Sequence, residues 1–157
     1  MNISLSPVSK KNKKTLAVLL FKYQKELFKK ENIGMYKYLD SYWGRKDRSP
    51  FFIEYDSNRI GFVLVNKHTL VTNDARNIAE FYILKKFRNK RMGKNAAFKV
   101  FEMFPGKWEI REMENNINAQ NFWRKIIGEY TNGKYSEVFL NNELWKGPVQ
   151  IFDTLLK

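Results

Sequence analysis

The feature that most constrains the fold is an apolar strand followed at once by a basic loop and a helix. Residues 78–84, IAEFYIL, have the β-branched and aromatic composition of a strand. The segment KKFRNKRMGKNAAFKVF at 85–101 places six cationic side chains in its first ten positions, then apolar residues at helical spacing. KWEIREM at 107–113 is a further strand pattern. Such a strand–helix–strand unit predicts a right-handed parallel crossover.

Patterns on either side of this unit extend it to the element order β-α-α-β-β-β-α-β-α-β-β. This order predicts an α+β fold in a single domain over residues 1–157: a mixed, mostly antiparallel sheet with one parallel strand pair and helices on both faces. The further predicted elements are a strand at 2–5, a helix from about Ser9 to Lys30, a shorter helix at 35–43, a loop at 44–50, strands at 51–55 and 60–65 joined by a turn, a helix from about Arg91 to Phe104, a helix at 118–128, and strands at 135–140 and 149–156.

Composition excludes several classes of function. The chain has no cysteine and one histidine, His68, so we expect neither a disulfide framework nor a metal centre. No apolar run approaches the roughly 20 residues that span a bilayer. The segment at 10–21, KKNKKTLAVLLF, resembles a signal peptide, but its apolar part is short and no small-residue cleavage site follows, so we expect a cytoplasmic protein without a membrane partner.

The positive charge requires an anionic partner. The formal net charge is +13, from 29 Lys+Arg and 16 Asp+Glu. Cations at a helix start are unfavourable unless an anion lies nearby, because the helix N-terminus is itself positive. A P-loop would need Gly at 88 and Ser or Thr at 95, where this chain has Arg88 and Asn95, and the dinucleotide fingerprint needs three glycines where the segment has one. What remains is a pyrophosphate held by loop and helix N–H groups.

The same segment resembles motif A of the GNAT superfamily of N-acetyltransferases. In this resemblance Arg88 takes the first position of the motif and Gly93 the last, whereas Arg91 replaces the middle glycine of the family.

A second resemblance lies downstream, where NINAQNFW is similar to motif B. Asn116, Ala119, Phe122 and Trp123 stand where the family has Asn, Ala, an apolar residue and usually Tyr.

The resemblance implies transfer of the acetyl group of acetyl-CoA to a primary amine by direct attack, with acetyl-CoA as cosubstrate and no metal. It implies that backbone N–H groups of 88–94 hold the pyrophosphate, with the basic side chains around it, and that an N–H near Ile83 polarises the thioester carbonyl. The implied cofactor-binding residues are Tyr82, Ile83, Leu84, Arg88, Asn89, Lys90, Arg91, Met92, Gly93, Lys94, Asn116, Phe122 and Trp123.

Two residues are the catalytic candidates. Glu80 stands where many family members carry a glutamate that deprotonates the amine, in an apolar strand where a raised pKa is expected. Equally, Glu80 could point outward and pair with a Lys or Arg. Trp123 cannot protonate the departing thiolate as the family tyrosine does. Tyr130, two turns further on, is the substitute if the helix does not end at Gly128, but we hypothesise that no side chain is an essential general acid.

Two other functions compete with the acetyltransferase. One is a GNAT-like module that binds CoA without catalysis, which the replaced glycine and the missing motif B tyrosine favour. The other is a basic nucleic-acid-binding domain, which the sequence disfavours because it contains no recognised nucleic-acid-binding signature. The acceptor, a small-molecule or protein amine, is not specified by the sequence, which is also compatible with a homodimer.

Overall fold

A computed structural model describes residues 2–30 and 33–157, and the chain divides into two compact units. Unit 1 comprises residues 1–65 and 80–93, and unit 2 comprises residues 66–79 and 94–157. The described elements are β1 (Ile3–Pro7), α1 (Lys13–Phe28), α2 (Ser41–Gly44), β2 (Arg48–Tyr55), β3 (Asn58–Asn66), β4 (Arg76–Ile83), α3 (Met92–Met103), β5 (Lys107–Arg111), α4 (Ile117–Thr131), β6 (Ser136–Asn141) and β7 (Lys146–Asp153), with 3₁₀ helices at Lys10–Asn12, Lys85–Phe87 and Thr154–Leu156.

The strands follow the order β1-β2-β3-β4-β5-β7-β6, and the predicted mixed sheet is confirmed. β4 and β5 form the parallel pair through a ladder of two residue pairs, Arg76 with Trp108 and Asn77 with Glu109. The pairs β1/β2, β5/β7 and β6/β7 are antiparallel. The handedness of the β4–α3–β5 crossover and the single domain over 1–157 stay predictions.

Unit 1 is built on α1 and the β2–β3 hairpin. The apolar face of α1 buries Leu16, Leu19 and Leu20, as its helical spacing predicts. The hairpin turns through Asp56 and Ser57, whose φ angles are 47° and 66°. Positive φ at both central residues is the requirement of the two-residue type I′ turn, whose twist matches that of the strands it joins.

The predicted helix at 35–43 is too long, and the predicted loop at 44–50 ends too late. Regular α-helix occupies only Ser41–Gly44, preceded by i to i−3 hydrogen bonds such as Leu39 N–H to the Tyr36 carbonyl at 3.2 Å. A short helix gains most of its stability from tertiary contacts, so local pattern alone did not set its length. Strand β2 begins at Arg48 because β1 extends its ladder, with Pro7 opposite Phe51 and Val8 N–H bonded to the Pro50 carbonyl at 3.0 Å.

Unit 2 has an aromatic core around Phe101 of α3. The Phe101 ring centre lies 5.2 Å from Trp108, 5.0 Å from Phe152 and 5.1 Å from Tyr130. Tyr130 reaches this core because α4 continues to Thr131, so an end at Gly128 is wrong. The helix ends at Asn132, which is left-handed and donates its N–H to the Gly128 carbonyl.

A buried carboxylate on β5 fixes the loop before β4. Glu109 is fully buried and accepts the N–H groups of Leu70, Val71 and Thr72 at 2.7–2.9 Å. Arg111 donates to the same carboxylate at 2.7 Å. Four donors offset the cost of removing this carboxylate from water, so Glu109 has a structural role.

A second buried carboxyl, that of Glu112, follows directly after β5, and unlike Glu109 it is not surrounded by hydrogen-bond donors in the described part of the chain. Neither oxygen of Glu112 has a hydrogen-bond partner in the described residues, and the same is true of Gln150 Oε1, whose Nε2 donates to Glu137 at 2.8 Å. Burial raises the pKa of Glu112 to about 8, and the charge of Glu137 adds to this, whereas Gln150 and Arg124 favour the charged form more weakly. Glu112 is therefore protonated at neutral pH.

Among the described residues, no helix is long and apolar enough to cross a membrane.

We predict that Glu112→Gln abolishes a pH-dependent loss of stability. The folded protein keeps the Glu112 proton up to about pH 8, whereas the unfolded chain releases it near pH 4–5. The stabilisation is therefore fully present below about pH 4–5 and is lost as the pH rises to about 8. The glutamine amide donates at every pH. The Tm of Glu112→Gln minus that of the wild type should grow from pH 5 to pH 8 and then level off, reaching about 2–4 °C or more.

The exposed neighbour Glu114, which pairs with Lys146 at 3.1 Å, provides the matched control. Glu114→Gln should show a Tm difference that does not change with pH. A difference for Glu112→Gln that stays constant from pH 5 to pH 9 would contradict the buried proton.

Candidate functional site

The chemical centre of unit 1 is the carboxylate of Glu80 on β4. Tyr23 of α1 donates its hydroxyl to Glu80 Oε2 at 2.5 Å, and Tyr36 donates to Oε1 at 3.1 Å. Among the described residues these tyrosines, rather than a Lys or Arg, are its partners. Each carboxylate oxygen keeps a second lone pair for a further donor, such as an amine or a water molecule.

The electrostatics make Glu80 the titrating group of this trio. Burial raises its pKa, which the apolar strand predicted, and the hydrogen bonds from Tyr23 and Tyr36 lower it in part. Burial, with the negative charge of Glu80, raises the pKa of Tyr23 well above its ordinary value, and that of Tyr36 is raised by the same causes. Both tyrosines therefore stay protonated throughout the physiological range and act only as donors.

Aromatic packing holds this trio in place. The ring of Tyr23 lies 5.8 Å from that of Phe62 on β3 and 5.7 Å from that of Tyr82 on β4. The guanidinium of Arg88 lies 5.4 Å from the Tyr82 ring centre. The Tyr82 side chain, a predicted cofactor-binding residue, is thus enclosed between protein groups, and its backbone is the part left for a ligand.

A small cavity adjoins Tyr36. It has a volume of about 130 Å³ and is lined by α1 and by residues 33–39. Gln24, on its wall, has a buried Oε1 atom with no hydrogen-bond partner in the described residues. The cavity therefore offers an apolar wall and one unused acceptor.

The loop after β4 has the backbone shape of an anion site. Asn89 and Arg91 are both left-handed, with φ angles of 63° and 60°. Residues of this conformation, placed in alternation with others, turn successive N–H groups into one concavity. The predicted cradle is shorter than expected at its start, because the Arg88 N–H already donates to the Lys85 carbonyl at 3.2 Å. It begins at Asn89 and includes Lys90, Met92 and Gly93.

Two of the cations predicted to surround a phosphate are engaged with carboxylates. Arg88 forms a two-fold hydrogen bond with Glu26 and donates its Nε to the Ile83 carbonyl at 2.8 Å. Lys94 pairs with Glu129 within unit 2. The cations of the segment that form no ion pair with a described residue are Lys85, Lys86, Lys90 and Arg91, all exposed.

The edge of β4 presents the predicted N–H of Ile83. Leu84 donates its N–H to the Ile60 carbonyl on β3 at 2.8 Å. Successive N–H groups of a strand point to opposite edges, so the N–H of Ile83 points away from β3. The backbones of β3 and β4 approach each other closely at Gly61, where a side chain would not fit. A Cβ at this position would lie 2.0 Å from the Tyr82 carbonyl oxygen.

The motif B residues have structural roles in unit 2. Asn116 caps α4, and its Oδ1 accepts the N–H of Ala119 at 3.2 Å. Trp123 is buried, and its ring packs edge-on against Phe122 at 4.9 Å. Their contact with a cofactor stays a prediction.

Tyr130 lies in the aromatic core of unit 2. Its ring centre is 4.9 Å from that of Phe98, and Lys157 Nζ lies 3.9 Å from the ring centre. The side chain is buried, and its role as an acid stays a prediction.

Sequence reasoning missed the functional partners of Glu80. Tyr23 lies on α1 and Tyr36 lies in the segment before α2. Their contacts with Glu80 join residues 57 and 44 positions apart, which no local pattern reveals. No group of three or more His, Cys, Asp or Glu among the described residues could hold a metal ion.

A comparison with protein-family models found one family. A model of the acetyltransferase (GNAT) family matches residues 17–128. A comparison with curated proteins found no match.

Three similar solved structures illustrate the fold. An acetyltransferase from Thermus thermophilus is 11% identical, with 98% of this chain and 97% of that chain covered and a TM-score of 0.73. The aminoglycoside acetyltransferase AAC(6')-Ib in complex with coenzyme A and kanamycin is 13% identical, with 99% and 96% covered and a TM-score of 0.71. The spermidine N-acetyltransferase from Vibrio cholerae in complex with CoA and spermine is 10% identical, with 98% and 96% covered and a TM-score of 0.67. At these identities the similarity is one of fold.

We predict that Arg91→Gly raises the Tm. Left-handed backbone costs a non-glycine residue about 1–2 kcal/mol, which glycine avoids, although glycine also makes the unfolded chain more flexible. The net gain should raise the Tm by about 1–4 °C in thermal unfolding. Lys90→Gly is the control, because Lys90 has no positive φ and should only lose stability. A Tm for Arg91→Gly that falls as far as that of Lys90→Gly would contradict strain at Arg91.

Proposed function

Because this chain belongs to the acetyltransferase (GNAT) family, we propose that it acetylates a primary amine by direct attack on the thioester, with Glu80 as the general base. The chain is an acetyltransferase, and acetyl-CoA is its cosubstrate. The observation that carries the finer proposal is the Glu80 carboxylate, half-buried on β4 and held by two neutral tyrosine donors.

The pyrophosphate of acetyl-CoA binds the concavity from Asn89 to Gly93. The two left-handed residues turn N–H groups inward there, and the helix start adds further N–H groups without intrahelical acceptors. Lys85, Lys86, Lys90 and Arg91 supply positive charge around the phosphates. The bound phosphates would offset the unfavourable placement of these cations at the start of a helix.

The thioester carbonyl binds at the free edge of β4. Its oxygen accepts the N–H of Ile83, which points away from β3. A preorganised donor at this position stabilises the negative charge that develops on the oxygen during attack, and contacts of this kind contribute about 3–4 kcal/mol in other enzymes.

Glu80 deprotonates the acceptor. An alkyl amine of pKa near 10 is mostly protonated at pH 7, and freeing it costs about 4 kcal/mol. The ammonium gives one proton to Glu80, and the freed nitrogen lone pair forms a bond with the acetyl carbon. The C–S bond breaks with its electron pair on the CoA sulfur, and the second nitrogen proton passes to the thiolate or to solvent. A raised carboxylate pKa brings the base closer to the pKa of the amine, which favours this transfer.

The thiolate leaves without an essential acid. A thiol has a pKa near 8.5, so its anion is a tolerable leaving group, and the Trp123 indole is not an acid. The Tyr130 ring is packed against Phe98 and Phe101, which supports a structural role for that tyrosine.

The acceptors bound in the similar structures do not suit the charge of unit 1. Kanamycin and spermine, which occupy two of those structures, each carry several positive charges. Unit 1 holds 18 Lys+Arg and 7 Asp+Glu, so it repels a polycation.

We predict that Glu80→Gln lowers kcat/KM on the alkaline plateau by ~10- to 100-fold, because glutamine cannot accept the proton. The assay measures thiol release from acetyl-CoA with a responsive amine between pH 6 and pH 9.5. Tyr36→Phe is the informative partner variant. Loss of its hydrogen bond raises the pKa of Glu80, so the rising limb should move to higher pH while the plateau is largely kept. A Glu80→Gln enzyme with the wild-type profile would exclude Glu80 as the base.

The same profiles test the general acid. In the wild type kcat/KM should rise and then level off, without a falling limb below about pH 9, and Tyr130→Phe should change kcat less than about threefold. A bell-shaped profile whose alkaline limb disappears in Tyr130→Phe would assign the acid to Tyr130.

We predict that Gly93→Val weakens CoA binding by tenfold or more, roughly 1.4 kcal/mol, because a side chain at the helix start blocks the approach of the phosphate. Acetyl-CoA and desulfo-CoA should both raise the Tm of the wild type in proportion to occupancy, and raise that of Gly93→Val only at higher concentration. Short duplex DNA should have a weaker effect that vanishes by moderate salt. Normal CoA binding by Gly93→Val would show that the motif A alignment is wrong.

A further inference from the structure

Positive charge is divided very unequally between two units of nearly equal length. Unit 1 has a net charge of +11 and unit 2 of +2, out of the total of +13. The unit that holds Glu80 and the phosphate loop therefore has nearly all of the excess.

Acetyl-CoA accounts for only part of that excess. Its phosphates carry about four negative charges, which the four unpaired cations of the loop match. Outside the loop, unit 1 exposes seven further lysines before, along and just after α1. They are Lys10, Lys11, Lys14, Lys22, Lys25, Lys29 and Lys30. A field of this sign and extent attracts a second anionic ligand.

One cation of unit 1 is placed to bind a carboxylate specifically. The guanidinium carbon of Arg48 lies 5.6 Å from the Tyr38 ring centre and 5.5 Å from that of Tyr42. Its buried Nε has no hydrogen-bond acceptor among the described residues. The two rings restrict the movement of the planar group, and the terminal nitrogens of a guanidinium bind carboxylates through two parallel hydrogen bonds.

A short path of contacts joins Arg48 to the general base. The rings of Tyr38 and Tyr36 lie 6.0 Å apart, and the Tyr36 hydroxyl is 3.1 Å from Glu80 Oε1. Since an extended peptide advances ~3.4 Å per residue, a short peptide segment could follow this path of contacts.

Resting on the acetyl transfer proposed above, we propose that the acceptor is the terminal amine of an acidic polypeptide, with the amine at Glu80 and a nearby acidic side chain on Arg48. The α-amine has a pKa of about 7.7–8.0, so freeing it at pH 7 costs much less than freeing a lysine. It loses its proton to Glu80 and forms the C–N bond as the thioester C–S bond breaks. Nucleic acid fits less well, because Arg48 already covers the Tyr38 and Tyr42 rings on which bases would stack.

Three short peptides test the charge preference. All three have the same length, the same first two residues, an amidated C-terminus and a single primary amine, the N-terminal one. From the third position onward, the first carries three aspartates, the second three asparagines and the third three arginines. With saturating acetyl-CoA, kcat/KM should be at least about tenfold higher for the acidic peptide than for the neutral one, and lowest for the basic one. Added salt should reduce the acidic peptide's advantage.

A pair of arginine variants tests the site. Arg48→Met keeps the apolar stem over the tyrosines but removes the charge, so it should raise KM for the acidic peptide about tenfold and leave the neutral peptide unchanged. Arg59 is the matched control, since its guanidinium carbon lies 4.2 Å from the ring centre of Phe52 in the same unit. Arg59→Met should change neither peptide more than about twofold.

Three results would overturn the proposal. One is equal or better turnover of the neutral or basic peptide, and another is an Arg48→Met defect of the same size for all peptides. The third is inhibition at physiological salt by a single-stranded oligonucleotide at concentrations below the KM of the acidic peptide, which would assign the basic surface to nucleic acid. If acetyl-CoA raises the Tm and other amines are acetylated while the acidic peptide is not, the acceptor assignment is wrong but the proposed acetyl transfer still stands. If acetyl-CoA does not bind, the proposed function fails with it.

Discussion

The hydrogen bonds from Tyr23 and Tyr36 to Glu80 are the interaction on which the rest of unit 1 depends. They join three separate parts of the chain, α1, the segment before α2, and β4, at one carboxylate. A buried carboxylate without donors is costly, and each tyrosine hydroxyl is itself costly to bury unpaired, so the three groups stabilise one another. The same contacts set the position of the base relative to the edge of β4, where we place the thioester.

Three glutamates, two of them buried and Glu80 half-buried, show how environment decides what a carboxyl group does. Glu109 accepts three backbone N–H groups and an arginine, so it anchors a loop. Burial dominates at Glu112, raises its pKa to about 8 and keeps it protonated at neutral pH. Glu80 lies between these extremes, with two neutral donors and free lone pairs, which suits a group that must gain and lose a proton.

The phosphate loop and the acceptor side of unit 1 use positive charge in different ways. In the loop that we propose binds the pyrophosphate, exposed lysines add a diffuse field to a backbone with two left-handed residues, so we expect recognition there to depend mainly on backbone shape. Arg48 instead is held by two rings and presents a planar group in a fixed direction. The first arrangement suits a ligand with several charges, and the second suits a single carboxylate.

The sequence by itself determined the strand–loop–helix–strand unit, the parallel pair, most strand positions and the family, because period and composition are local properties of strands, helices and phosphate loops. It also singled out Glu80, whose charge stands out in an apolar strand. The groups that meet that carboxylate, the start of the helix before β2, the extent of α4 and the left-handed backbone of Arg91 came from the three-dimensional structure. Each of these depends on contacts between residues far apart in the chain, and the free energy of such contacts outweighs local preference.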